Sequence, residues 1–186
     1  NYNVFIGNKA GYTNTTGSYN TFLGYYTGYS NTTGNQNTAV GESSLRSNIN
    51  GFANAAFGES ALYSNTGGEQ NTSIGYQTLA YNVIGDYNTA LGAYALQTNT
   101  GDFNTGLGYH SLNYNEAGSN NTAIGTYSLL ENSTGNNNIA LGYGAGDNLT
   151  TGSNNIVIGY DVNAPSATSA NTLNIGNLIC ATGVDW

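Results

Sequence analysis

The chain has 186 residues, including 27 Gly, 16 Tyr, one Cys and no Met, and its ten acidic and two basic side chains give a net charge of −8. Charged residues make up 6% of the chain, against about 25% in ordinary globular domains. This excludes nucleic-acid binding, which needs Lys and Arg to neutralise phosphates, and a polybasic membrane anchor. No apolar run approaches the roughly 18 residues of a spanning helix, so we expect no direct membrane insertion. The start Asn1-Tyr2-Asn3 shows no signal-peptide pattern, and we expect a fragment or a processed product.

One glycine recurs at a nearly constant spacing along the whole chain. Successive copies are 17 residues apart, except for one step of 16 residues between Gly92 and Gly108. A fixed short period is the sequence signature of a solenoid, in which each repeat stacks on its neighbour. We call these residues the anchor glycines: Gly7, Gly24, Gly41, Gly58, Gly75, Gly92, Gly108, Gly125, Gly142, Gly159 and Gly176.

A short segment with strand character precedes each anchor glycine. The cleanest copy, residues 121–125, reads Asn-Thr-Ala-Ile-Gly. Neighbouring residues of a strand face opposite ways, so Thr122 and Ile124 share one face, and Asn121 and Ala123 share the other. Either face suits the interior of a coil, with the opposite face lying against neighbouring chains. The Ala position changes near the ends of the chain, which indicates that the ends of the rod differ from its middle; the replacements are Phe5, Phe22 and Val157.

The second half of each repeat carries a second apolar position, an Asn position and a second glycine. Residues at one such position recur from repeat to repeat and form a row along the stack, here called a file. In one middle repeat these are Leu79, Asn82 and Gly85. The unit therefore predicts a strand, a glycine, a second short strand and an Asn-rich turn, because Gly and Asn suit left-handed backbone. A helix is excluded, since two glycines per repeat cost roughly 2 kcal/mol there. Asn at one fixed position in stacked coils predicts a ladder of side-chain amides. The missing residue of the short repeat falls in a turn, between Thr100 and Gly101.

These patterns predict an all-β protein, a parallel β-solenoid or β-roll of about ten 17-residue coils. Residues 1–163 are predicted to form the repeat domain, and 164–186 a transition segment toward a stalk or C-terminal domain. Coils stacked about 4.8 Å apart make a rod roughly 50 Å long. So thin a stack buries few side chains per coil, and we expect another chain to cover one face. A parallel homotrimer, with two identical partner chains, meets that need.

The repeat resembles the head of trimeric autotransporter adhesins, a left-handed parallel β-roll of the YadA type. The resemblance rests on units such as residues 121–125, followed by a spacer with a small residue and a second glycine. The unit here is longer in its Asn-rich turn, and stretches such as residues 63–66 are more similar to repeats of phage tail-fibre-like proteins. Residues 171–179 resemble the segment that leads from such repeats into a stalk. The resemblance implies an extracellular trimer, on a cell surface or a virion fibre, that spaces or displays a surface for a host cell, matrix or glycan.

Tyrosine is the residue type that points most directly to ligand binding. Aromatic side chains with polar tips on a regular surface suit glycan or protein recognition. The alternative is that the rings only stack across strands and shield the edges of the ladder. The candidate ligand-binding residues stand one or two positions after their anchors: Tyr25, Tyr26, Tyr76, Tyr94, Tyr109, Tyr127, Tyr143 and Tyr160.

An acidic file is the candidate metal site. Glu69, Asp86 and Asp102 each stand six residues before an anchor, and stacking places them about 5 Å apart. Closely spaced carboxylates suit a hard cation such as Ca²⁺. The alternative is three solvated turn acids that splay apart. The Gly-Gly-x-Gly-x-Asp calcium motif is absent from the sequence, and no other cofactor is predicted.

The sequence predicts a protein that is not an enzyme, with a glycan-active enzyme as one alternative. Glu42 and Glu59 form a stacked pair at a separation that suits a retaining glycosidase, but equal environments do not divide the acid and base roles. His110 is the only His, and no motif supplies it with a catalytic partner, which favours a surface position. Cys180 is the only Cys and forms no intrachain disulfide; we expect it to be buried near the C-terminal transition.

An ice-binding β-solenoid is the other alternative. Regularly spaced Thr on a flat solenoid face orders water. Against this, the partner file on that face is Ile and Leu rather than a second Thr file, and the alternation indicates a buried face. The Thr file comprises Thr21, Thr38, Thr72, Thr89, Thr105 and Thr122.

Overall fold

Each repeat contributes one short β-strand that ends directly before its anchor glycine, except that β12 follows the last anchor. The computed structural model describes residues 2–183. The strands are β1 (Val4–Ile6), β2 (Thr21–Leu23), β3 (Thr38–Val40), β4 (Ala55–Phe57), β5 (Thr72–Ile74), β6 (Thr89–Leu91), β7 (Thr105–Leu107), β8 (Thr122–Ile124), β9 (Ile139–Leu141), β10 (Ile156–Ile158), β11 (Thr172–Ile175) and β12 (Ile179–Thr182).

The strands form one sheet in sequence order, and β1 to β11 are parallel. Equivalent residues pair, so Ile74, Leu91 and Leu107 lie in one row. The row passes through the short repeat without a shift in register, as expected for a deletion inside a turn. The predicted parallel β-solenoid of about ten coils is confirmed.

The C-terminal end of the sheet departs from the parallel order. Strand β11 still stacks on β10, so the ladder passes the predicted boundary at residue 163. Strand β12 then folds back antiparallel on β11, with Ile175 opposite Ile179. Cys180 lies on β12 opposite Asn174, and its side chain is outside the described part of the chain. No helix among residues 2–183 is long and apolar enough to cross a membrane.

In β2 to β10 the middle residue faces the interior of the coil, and its two neighbours face outward. Ala90 is fully buried, whereas Leu91 is 47% exposed and Thr89 is also exposed. The Ala and Asn face is therefore the interior one, which resolves the choice that the alternation left open. The expectation that the Thr and Ile face is buried was wrong within a single chain, because the interior has room only for the small Ala side chain opposite the Leu file.

The second apolar file is buried as expected, but it lies in a turn rather than in a second short strand. Leu79 and Leu96 are fully buried and adopt left-handed backbone, with φ of 48° and 50°. A branched side chain rarely adopts this conformation, which costs about 1–2 kcal/mol per residue. Burial of the Leu side chain offsets that cost by roughly 2 kcal/mol.

The first two coils fill the same interior differently. Phe22 replaces Ala on the strand, and Gly28 stands where the next coil has Leu45. A Cβ atom on Gly28 would lie 2.4 Å from the ring of Phe22, and Phe5 and Gly11 repeat the arrangement. The end of the rod therefore differs from its middle as expected: a large side chain on the strand is matched by a glycine in the turn, where the middle coils have a small Ala on the strand and a Leu in the turn.

The predicted amide ladder is confirmed on the strand side of the interior. The Asn71 side-chain oxygen accepts the backbone N–H of Asn88 at 2.9 Å, and its amide nitrogen donates to the carbonyl of Gly85 at 2.8 Å. The same pattern repeats along the stack. These buried side chains thus join each coil to the next.

A second amide ladder runs along the Asn-rich turns. Asn65 donates to the side-chain oxygen of Asn48 at 2.8 Å and to the carbonyl of Gly68 at 3.0 Å. The ladder ends at Asn132, because the next coil carries Leu149 at this position. The Asn132 side-chain oxygen is accordingly buried without a partner among the described residues.

Close stacking explains the glycine at the anchor positions from Gly7 to Gly142. Gly75 has a φ of 136°, and a Cβ atom there would lie 2.8 Å from the carbonyl carbon of Gly92. Any side chain would push the two coils apart.

Candidate functional site

The outer face of the strands carries two files of side chains, one apolar throughout and one that is Thr in β2 to β8 except for Ala55 in β4. It extends over eleven parallel strands, roughly 50 Å by 10 Å from strand spacing and length. Along this surface the apolar side chain of every strand from β1 to β11 is exposed or half-buried, so the single chain presents an unbroken nonpolar row to solvent. Its apolar file comprises Ile6, Leu23, Val40, Phe57, Ile74, Leu91, Leu107, Ile124, Leu141, Ile158 and Ile175.

The turns after the strands carry a continuous aromatic strip. Neighbouring rings on consecutive coils have centroids 5.2–6.0 Å apart, mostly edge to face. The rings are exposed or half-buried, so their faces and hydroxyl groups remain accessible. The strip brings together six of the eight predicted tyrosines: Tyr76, Tyr94, Tyr109, Tyr127, Tyr143 and Tyr160.

The other two predicted tyrosines belong to a separate cluster near the N-terminus, which contains both basic residues of the chain. Lys9 donates to the Tyr26 hydroxyl at 2.8 Å, and the Arg46 guanidinium lies 4.7 Å from the centre of the same ring. The hydrogen bond from Lys9 lowers the pKa of Tyr26 and raises that of Lys9. The hydrogen bond with Tyr26 raises the pKa of Tyr25. The rings thus take the place of carboxylates as partners of the two cations.

A notch separates the N-terminal cluster from the aromatic strip. It has a volume of about 140 Å³. Sequence reasoning missed it, although Ala80 gave a signal: its file carries Tyr12, Tyr29 and Tyr63 in earlier repeats. A small residue directly after Tyr63 in this file leaves a gap the size of one ring. The notch is lined by Ser60, Tyr63, Gln77, Ala80 and Tyr81.

The acidic file stacks as predicted, but its carboxylates bind the backbone. Asp86 accepts the backbone N–H of Glu69, and Asp102 accepts that of Asp86, each at 2.8 Å. Ser119 and Asn136 continue the same pattern in later coils. Within residues 2–183, no three His, Cys, Asp or Glu side chains converge as a metal site. Calcium binding stays a prediction, and the two Asp carboxylates have a structural role.

The remaining candidate residues lie at the surface. Glu42 and Glu59 are exposed on the turns after their strands. His110 is half-buried and stacks on Tyr94, with ring centroids 4.8 Å apart, so it extends the aromatic strip as the surface position predicted.

Comparison of the chain with protein-family models, with curated proteins and with solved structures finds no significant match in any of the three.

Proposed function

We propose that this chain is a structural segment of an extracellular fibrous protein, an adhesin or a tail-fibre-like protein. It assembles as a parallel homotrimer and spaces or displays a surface for a host cell, matrix or glycan. The observation that carries the proposal is the outward strand face, whose apolar file runs the length of the rod and is left uncovered by the described residues.

The outer strand face supports association with identical chains. Each coil presents one apolar side chain, such as Ile74 or Leu91, in the same row as its neighbours. Copies lying side by side in parallel align these rows over their whole length, and closed rotational symmetry leaves no open face. Burial of the apolar file then adds roughly 25 cal/mol for each Å² removed from water.

Light scattering of the chain in solution tests the assembly. We expect a mass three times 19.3 kDa. Leu91→Lys places a charge in the middle of the outer face and is expected to give monomers, whereas Tyr87→Lys changes an exposed residue of the same coil outside that face and keeps the trimer. A monomeric wild-type chain, or a trimer that tolerates Leu91→Lys, contradicts the proposal.

Repetition along the side of the rod supports weak binding at many equivalent positions. Each further contact acts at high effective concentration once the first is made, so weak sites add to useful avidity. The aromatic strip offers such positions on six consecutive coils. Replacing Tyr76 and Tyr109 by Ala is expected to weaken binding on a glycan array; unchanged binding indicates that the rings only shield the ladder.

Ice binding is a second candidate, favoured by the outward position of the Thr file. Thr89 and Thr105 pair on adjacent strands, and the file is exposed or half-buried along the sheet. The paired Ile and Leu file still sets this surface apart from one with two Thr files. Thermal hysteresis that is lost in Thr89→Lys supports this candidate, and absence of hysteresis excludes it.

A further inference from the structure

The notch lies between the N-terminal aromatic cluster and the aromatic strip. Ala80 is 3% exposed and forms its floor, while Tyr81 is 52% exposed and stands at its edge. Its lining residues all belong to the segments between strands, so they stay free when the outer strand face is covered. A volume of about 140 Å³ is below that of a drug-sized site and admits one ring-sized group.

The notch offers both stacking surfaces and unused hydrogen-bonding capacity. Tyr63 and Tyr81 present aromatic rings. Gln77 donates to the Tyr76 hydroxyl at 2.9 Å and accepts from Gln97 at 2.8 Å, which fixes its amide. One N–H and one lone pair of that amide are still available. A ligand that suits these groups has apolar ring faces and a rim of hydroxyl groups.

Charge around the notch selects against acidic ligands. Glu59 directly precedes Ser60 on the turn, and the whole chain carries a charge of −8. The nearest cation, Arg46, already packs on the ring of Tyr26 and donates to the Tyr63 hydroxyl at 3.3 Å. The excess of acidic side chains therefore disfavours an anionic group in the notch.

We infer that the notch binds one neutral pyranose residue of an oligosaccharide, with the sugar ring against Tyr63 and Tyr81 and its hydroxyl groups on Gln77 and Ser60. The inference rests on the proposed display function and gives that function a ligand class and a position. A single shallow subsite gives weak affinity, roughly millimolar, and the repeats of a fibre raise it through avidity.

Titration of the intact chain with tetrasaccharides tests the inference. The probes are neutral glucan, mannan and galactan tetrasaccharides and an acidic galacturonan tetrasaccharide. Binding is measured by saturation-transfer NMR and calorimetry at probe concentrations up to about 10 mM. We expect at least one neutral probe to bind and the galacturonan not to bind. Binding of the galacturonan alone, or of no neutral probe, overturns the inference.

Ala80→Tyr is the decisive variant, because it restores the aromatic residue that the same file carries in other repeats. Tyr12 and Tyr29 stack at 5.4 Å in that file, so the new ring has a stable position against Tyr63 and fills the notch. We expect Ala80→Tyr to abolish binding. Leu130→Tyr, in the same file but three coils away, is the matched control and is expected to bind normally.

Tyr81 separates stacking from hydrogen bonding. We expect Tyr81→Ala to weaken binding roughly tenfold and Tyr81→Phe to retain it, with equal melting temperatures for both variants. Full binding by Ala80→Tyr overturns the inference. If Ala80→Tyr binds fully and Tyr109→Ala does not bind, the site lies on the aromatic strip, and the proposed display function stands without the notch.

Discussion

The first two coils and the middle coils enclose the same interior with different side chains. Phe22 and Gly28 fill the second coil, and Ala39 and Leu45 fill the third. The backbone path is the same in both, and so are the strand pairing and the amide ladders. The glycines and amides therefore set the shape of the coil, while the apolar files need only supply a fixed total volume.

Removing the large ring of an end coil breaks this balance most severely. We expect Phe22→Ala to lower the free energy of unfolding by about 3–5 kcal/mol, because Gly28 leaves a cavity that nothing fills. Denaturant unfolding at fixed chain concentration measures the loss. The matched middle-coil change, Ala39→Gly, opens a smaller cavity and is expected to cost about 1 kcal/mol.

Adding volume to the same coil is the converse test. Gly28→Leu drives a side chain into the Phe22 ring, and we expect a loss of about 3 kcal/mol from overpacking. A loss below about 1 kcal/mol would mean that the coil expands freely.

The double variant Phe22→Ala with Gly28→Leu gives the second coil the apolar residues of the third. We expect it to be more stable than either single variant, because the exchanged volumes match. For the double variant to be more stable than both, the interaction energy of the cycle must exceed the loss of about 3–5 kcal/mol expected for Phe22→Ala. Additive losses would show that the two files do not share one space.

The amide ladders run unchanged through the first two coils and the middle coils, so equivalent Asn residues of the two regions can be compared directly. Asn31→Ala near the end and Asn65→Ala in the middle each remove a buried amide that bonds to the coil before it. We expect equal losses of about 2 kcal/mol. Hydrogen exchange of the amides in the adjacent coils locates the damage, and a much larger loss at one site would contradict the equivalence.

The smallest effect concerns the pair of Lys9 and Tyr26, which only the end region has. The lowered pKa of Tyr26 gives stability that is full above its unfolded pKa and is lost as the pH falls through its folded pKa. The raised pKa of Lys9 gives stability that is lost as the pH rises through that value. The charged pair, Lys9 ammonium with Tyr26 phenolate, therefore exists only between the two folded pKa values. Tyrosinate absorbance should show Tyr26 ionising at higher pH in Lys9→Gln but not in Lys9→Arg.

The repeat period predicted that the coils stack, that Asn and Ala of each strand share one face, and that Asn side chains form a ladder. Each of these follows from one residue type recurring at one position. The period did not predict which strand face lies inside, because Thr and Ile suit a core as well as an interface. It also missed the turn at Leu79, since Leu with a φ of 48° contradicts its usual preference. The notch at Ala80 arises from a residue that is small where its file is large, a signal visible only against the other repeats.

Spin labelling at position 91 tests whether the outer strand face holds identical chains together in parallel, as proposed. With Cys180 replaced by Ser, a nitroxide on Leu91→Cys lies on the proposed contact, and one on Tyr87→Cys lies outside it. We expect the spectrum at position 91 to be broadened by neighbouring spins and to become narrower when labelled chains are diluted with unlabelled ones. At position 87 we expect a narrow spectrum. A narrow, dilution-independent spectrum at position 91 would contradict the proposed assembly.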